Sequence, residues 1–148
     1  MNVVELLRED HEEALQLIEE LESVDEKTGA DPTNTETFNK LHQALRLHTE
    51  VEENFFYPVI GEFDEVKQVV EDAYQVHDRI DQLLSQMTTT DPNEAEFQET
   101  LAELRYNLEH HIEVEEGRLF PSAEELFEEV ELEELGQQIE EMKSNRKL

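Results

Sequence analysis

Six residues of this 148-residue chain combine type and spacing in a way that chemistry can use: His11, His48, Glu52, His77, His111 and Glu115. Imidazole nitrogen and carboxylate oxygen are donors that suit iron, manganese and zinc. The chain has no cysteine, so any metal here must take N or O ligands, and thiolate sites, iron–sulfur clusters, disulfides and a Cys nucleophile are excluded. His48 and Glu52 are four residues apart, as are His111 and Glu115. On a helix that spacing is a rotation of about 40° and one turn, so each His and its Glu project from one face at neighbouring levels.

The pattern is duplicated. His48-Thr49-Glu50-Val51-Glu52-Glu53 corresponds to His111-Ile112-Glu113-Val114-Glu115-Glu116, and Pro58 and Pro121 each lie ten residues after the leading His. His11 and His77 stand alone on their segments, 66 residues apart, against 63 for the His-Glu pairs, a difference that linker length absorbs. If all six side chains face one core, four imidazoles and two carboxylates are buried together. A buried, unpaired carboxylate costs several kcal/mol. Two cations, each held by two His and bridged by both Glu, resolve that cost, so the residues point to a dinuclear site. A buried polar seam that merely fixes helix register is the structural alternative.

The elements that must position these residues are helices. Apolar residues recur at three- and four-residue steps, and sustained alternation is absent. Helix one spans about Val3 to Val24, with Val4, Leu7, His11, Ile18 and Leu21 on one stripe, and a linker from Asp25 to Asn34 contains Gly29 and the helix-opening pair Asp31-Pro32. Helix two carries Phe38, Leu41, Leu45, His48, Phe55 and Val59, and Pro58 and Gly61 break it. Helix three runs through Val66, Ala73, His77, Ile80, Leu84 and Met87. Asp91-Pro92-Asn93-Glu94 has the spacing of a cap opening helix four, which carries Phe97, Leu101, Leu104, Leu108, His111, Glu115 and Leu119. Ser122 and Glu125 then start a short helix, and Leu132, Leu135, Ile139 and Met142 mark a weaker C-terminal helix ending in basic residues. The expected fold is all-α: two helical hairpins forming an antiparallel up-down-up-down four-helix bundle over residues 3–121, with a helical extension over 122–148, in a single domain.

At this level of detail the sequence resembles the hemerythrin-like, HHE cation-binding, family, from Val3 to Pro121. The resemblance implies two iron ions in a non-haem di-iron centre, with Glu52 and Glu115 bridging and His11, His48, His77 and His111 terminal. It also implies binding of, or reaction with, a small oxidant such as dioxygen, peroxide or nitric oxide, or a sensing role. Oxygen-carrying members have a His-x-x-x-His on the third helix and a His-x-x-x-x-Asp on the fourth. Here Ala73 stands four residues before His77, and neither motif occurs. Two imidazoles and two bridging oxygens per iron leave positions for solvent, an oxo or hydroxo bridge, substrate, or Tyr74. Tyr74, three residues before His77, is a candidate phenolate ligand or hydrogen-bond donor, and a phenolate would oppose simple oxygen transport; a core tyrosine is the alternative.

Other residues near the motif carry weaker signals. Glu53 and Glu116 point about 100° off the ligand face, to its flank or behind the ligands, with solvated surface as the default in so acidic a chain. His110 is a rim residue because only His111 mirrors His48; His42 falls on the exposed side; Tyr57 and Tyr106 are core or rim aromatics. No Glu-x-x-His and no His-Glu-x-x-His occurs, which argues against ferritin-like oxidases and zinc hydrolases. The 40 acids against 11 bases, a net charge of −29, disfavour nucleic acid and anionic membranes as partners. The residues name no protein partner. No apolar run approaches the roughly 20 residues of a membrane span, and the early charges do not suit a signal peptide, so a cytoplasmic protein is expected. With only five Lys, the acidic surface fits either ordinary solubility or adaptation to high salt.

Overall fold

Helix α1, Val3–Glu22, is opened by Asn2, whose side chain accepts from the Glu5 N–H while the Glu5 carboxylate accepts from the Asn2 N–H, a reciprocal cap that satisfies two orphan donors. The computed structural model describes residues 1–23 and 32–146; Val24, most of the expected linker and its Asp31 cap lie outside them. Helix α2, Pro32–Val51, begins at the expected proline. After it come a π turn, Glu52–Phe56, and a short helix α3, Tyr57–Ile60, stopped at Gly61. Helix α4 is Lys67–Met87 and α5 is Ala95–Val114; a second π turn, Glu115–Leu119, leads into α6, Phe120–Leu126, and α7 is Glu129–Arg146. No strand occurs among the described residues.

Helix α1 packs on α2 and α5, and α4 on α5 and α2, closing the ring of a four-helix bundle. Helix α7 lies outside the ring against α1 and the first π turn, burying Leu132 and Ile139, with Leu135 and Met142 packed on the same apolar cluster. Gly136 permits that approach, since a Cβ there would stand 2.2 Å from the Met1 carbonyl oxygen. Two apolar clusters fill the interior. One gathers Leu7, Val51, Phe56, Ile60, Ala73 and Phe120, and the other Ala14, Leu45, Ile80, Phe97, Leu104 and Leu108. Between them along each long helix stand His11, His48, His77 and His111, all buried.

Two expectations need correction. The Asp91 carboxylate accepts from the backbone and side chain of Asn93, two residues on. That local turn competes with helix initiation, and α5 starts only at Ala95, with Glu94 at its N-cap. Regular helical spacing carries the apolar stripe of the second helix onto Phe55 and Val59, but both are half-buried, and Phe56 and Ile60 are fully buried instead. The π turn is the reason: the Tyr57 N–H donates to the Glu52 carbonyl, five residues back, and the extra residue in that turn shifts every later side chain round the axis.

Candidate metal centre

The two π turns begin at Glu52 and Glu115, and both carboxylates are fully buried. Wide turns of this type recur at functional sites, where they re-aim side chains that a regular helix would misplace. One donor atom from each of His11, His48, Glu52, His111 and Glu115 falls in a group whose members all lie within 4.8 Å of one another. His77 joins at the edge, its Nε2 3.1 Å from Glu52 Oε1. The structure therefore brings together all six residues singled out by spacing.

The internal twofold relation survives in three dimensions. His11 Nε2 is 2.9 Å from Glu115 Oε1 and its Nδ1 is 2.8 Å from Glu116 Oε2. In the other repeat, His77 Nε2 is 3.1 Å from Glu52 Oε1 and its Nδ1 is 2.8 Å from Glu53 Oε2. His48 Nε2 lies 2.9 Å from Glu52, and His111 Nε2 lies 2.8 Å from Glu115. The ring centroids pair as His11 with His48 and His77 with His111, 4.9 Å apart in each pair. The aromatic residue before each proline stacks on the lone His of the other repeat, Phe120 on His11 and Tyr57 on His77.

Charge in the cluster is balanced internally. Burial raises the Glu52 carboxyl, yet His48 and His111 outweigh it and hold Glu52 well below the usual carboxylate range. Burial and Glu52 both push Glu115 up, but His111 and His11 leave it lowered. Burial would depress His48 and His111; Glu52, Asp10 and Glu115 reverse that at His48, lifting it well above its ordinary value, and Glu115 and Glu52 lift His111 to about 10. Without a metal, imidazolium protons are the counter-charges for the two buried acids.

Protons satisfy the cluster incompletely. Glu52 Oε2 is buried and makes no hydrogen bond, and His48 Nε2, although 2.9 Å from Glu52 Oε1, is not directed along one. A buried carboxylate oxygen and an imidazole nitrogen orphaned side by side are unusual among native polar groups, and both are donor atoms for a cation. Imidazole and carboxylate together suit a first-row transition metal, so the residues present fit such an ion. A scan of family models matches the hemerythrin HHE cation binding domain over residues 2–123. The chain belongs to that family. Among solved structures, the HHE domain is similar to a hemerythrin HHE cation binding domain-containing protein from Mycobacterium kansasii, a homolog of Rv2633c, with a TM-score of 0.81 at 23% identity over 98% of this chain and 86% of that one. That likeness extends the shared fold through α7. No curated protein sequence matches the chain, and no helix among the described residues is long and apolar enough to cross a membrane.

Sequence spacing did not single out Tyr57, Asp10 or Lys143, which complete the site. Tyr57, read as a core or rim aromatic, is buried and donates its hydroxyl to Glu115 Oε2 at 3.0 Å, with His77 Nε2 3.3 Å away. Burial, Glu52 and Glu115 push its phenol well above its usual range, so it stays a neutral donor. Tyr74 is half-buried and packs edge-on against the Tyr57 ring, with centroids 5.3 Å apart. Asp10 accepts from His48 Nδ1 at 3.0 Å and from Lys143 Nζ, reaching over from α7, at 2.7 Å. Glu53 and Glu116 take the expected position behind the ligands, half-exposed and each 2.8 Å from the Nδ1 of His77 and His11 respectively. His110 and Tyr106 are exposed, and half-buried His42 packs on Phe38.

Proposed function

We propose that this HHE domain holds two iron ions, one at His11 and His48 and one at His77 and His111, with Glu52 and Glu115 bridging, and that it binds or reacts with a small oxidant such as dioxygen, peroxide or nitric oxide. The observation that carries the reading is the pair of orphaned buried donors, Glu52 Oε2 and His48 Nε2, inside a cluster of repeated His and Glu. When bound, two iron ions would supply redox chemistry toward the oxidant. The chain's residues do the rest. Glu53, Glu116 and Asp10 hold three imidazoles by their Nδ1 atoms, leaving each Nε2 turned to the cluster. Tyr57 keeps a neutral hydroxyl against Glu115, a donor for a negatively charged oxygen in the same space. Phe120, fully buried, stacks on His11, and Phe56 packs against Phe120, an apolar cover beside that ligand.

Optical spectra of purified protein in air, and after peroxide or nitric oxide, test this reading. Visible charge-transfer bands that change with the oxidant support it. Their absence in protein of full metal content, or their persistence in His48→Ala and Glu115→Ala, refutes it. A second reading, a metal-responsive module without catalysis, is favoured by the Lys143–Asp10–His48 chain, which ties an outer helix to a metal-facing ring. Helicity and melting that do not change on metal removal would count against it.

A further inference from the structure

The repeats agree at every donor residue but not at the atoms behind them. Residue 10 precedes the lone His of the first repeat and is Asp; its counterpart before His77 is Val76. Asp10 accepts from His48 Nδ1 at 3.0 Å and is itself fixed by Lys143 at 2.7 Å. His11 and His77 have equivalent braces in Glu116 and Glu53. Among the described residues His111 alone of the four imidazoles has no carboxylate on its Nδ1. The pair His11 and His48 is therefore braced twice, and the pair His77 and His111 once.

A carboxylate on the far nitrogen of a metal-binding imidazole fixes its tautomer and ring orientation and raises the donor strength of the near nitrogen. The effect acts through His48, so it belongs to the position that His48 serves. From this we infer that the two metal positions are inequivalent, that the His11 and His48 position fills first, and that Asp10, steadied by Lys143, is the positioning residue that makes the difference. The inference rests on the dinuclear reading above and adds an order of filling to it. It also gives α7 a role, because its Lys143 is a link in the only brace that the second repeat lacks among the described residues.

Anaerobic titration of metal-stripped full-length protein with ferrous iron alone, followed by calorimetry, tests it. Wild type is expected to bind in two resolved steps of one equivalent each. Asp10→Ala should weaken the tighter step by about 10- to 100-fold, the usual cost of losing such a brace, and move the weaker step by less than about threefold. Asp10→Asn, which keeps the size and one acceptor oxygen, should weaken the same step in the same direction, with circular dichroism confirming that both variants fold. Equal weakening of both steps, or of the weaker step alone, overturns the inference while leaving two-metal binding intact. Uptake of fewer than two equivalents by wild type instead overturns the dinuclear reading beneath it.

Discussion

Raising the pH of the metal-stripped protein removes the counter-charges of Glu52 and Glu115, and the structure gives the size of the effect. His111 titrates near 10 in the fold against 6.5 in the unfolded chain. Below pH 6.5 both states hold the proton, and the stabilisation is fully present. Between 6.5 and 10 the native state keeps a proton that the unfolded state has released, so stability falls by up to about 1.4 kcal/mol per pH unit. From pH 7 to 9 this is on the order of 2–3 kcal/mol for His111, and His48, also raised, adds in the same direction. On the acid side the sign reverses: Glu52, held well below 4.5, contributes stability above that value that is lost as pH falls through its lowered pKa. Urea unfolding in excess chelator should show the midpoint dropping between pH 7 and 9 at constant slope. In metal-loaded protein the ligating imidazoles are already neutral, with no imidazolium proton to lose, and the alkaline drop should vanish. A stripped protein equally stable at pH 7 and 9 would refute the imidazolium–carboxylate account of the cluster.

Other perturbations separate the roles assigned above. Tyr57→Phe leaves Glu115 Oε2 without its 3.0 Å donor and should cost about 1–3 kcal/mol in the stripped protein, whereas Tyr74→Phe should stay within about 0.5 kcal/mol; urea unfolding reads both. Gly136→Ala drives a Cβ into the Met1 carbonyl oxygen at 2.2 Å and should loosen α7 from α1 at a cost of about 1–3 kcal/mol. Gly117→Ala, with open space at the Cβ position, should be neutral or stabilising by up to about 1 kcal/mol in the same assay.

The all-helical fold was legible because three- and four-residue apolar periodicity is a direct image of a buried helix face. The six clustered residues were legible because duplication repeats polar residues at seam positions, where packing alone gives no reason for them. Tyr57 was not. On a regular helix it stands about 140° round from Glu52; only the π turn brings it back over the same face, and an extra residue in a helical turn leaves little trace in apolar spacing. Asp10 and Lys143 were hidden for another reason. Each is an ordinary surface charge in its own helix, and their meaning depends on how α1 meets α2 and how α7 docks, which local sequence does not encode. The start of α5 at Ala95 was missed because the Asp91 side chain serves its own turn and not the helix.

Metal content measures the central claim most directly. Full-length protein purified without added metal, compared with His48→Ala and Glu115→Ala by elemental analysis, should carry two irons per chain, and each variant should lose stoichiometric binding. Wild type carrying one zinc or no metal, or variants that retain two irons, would contradict it.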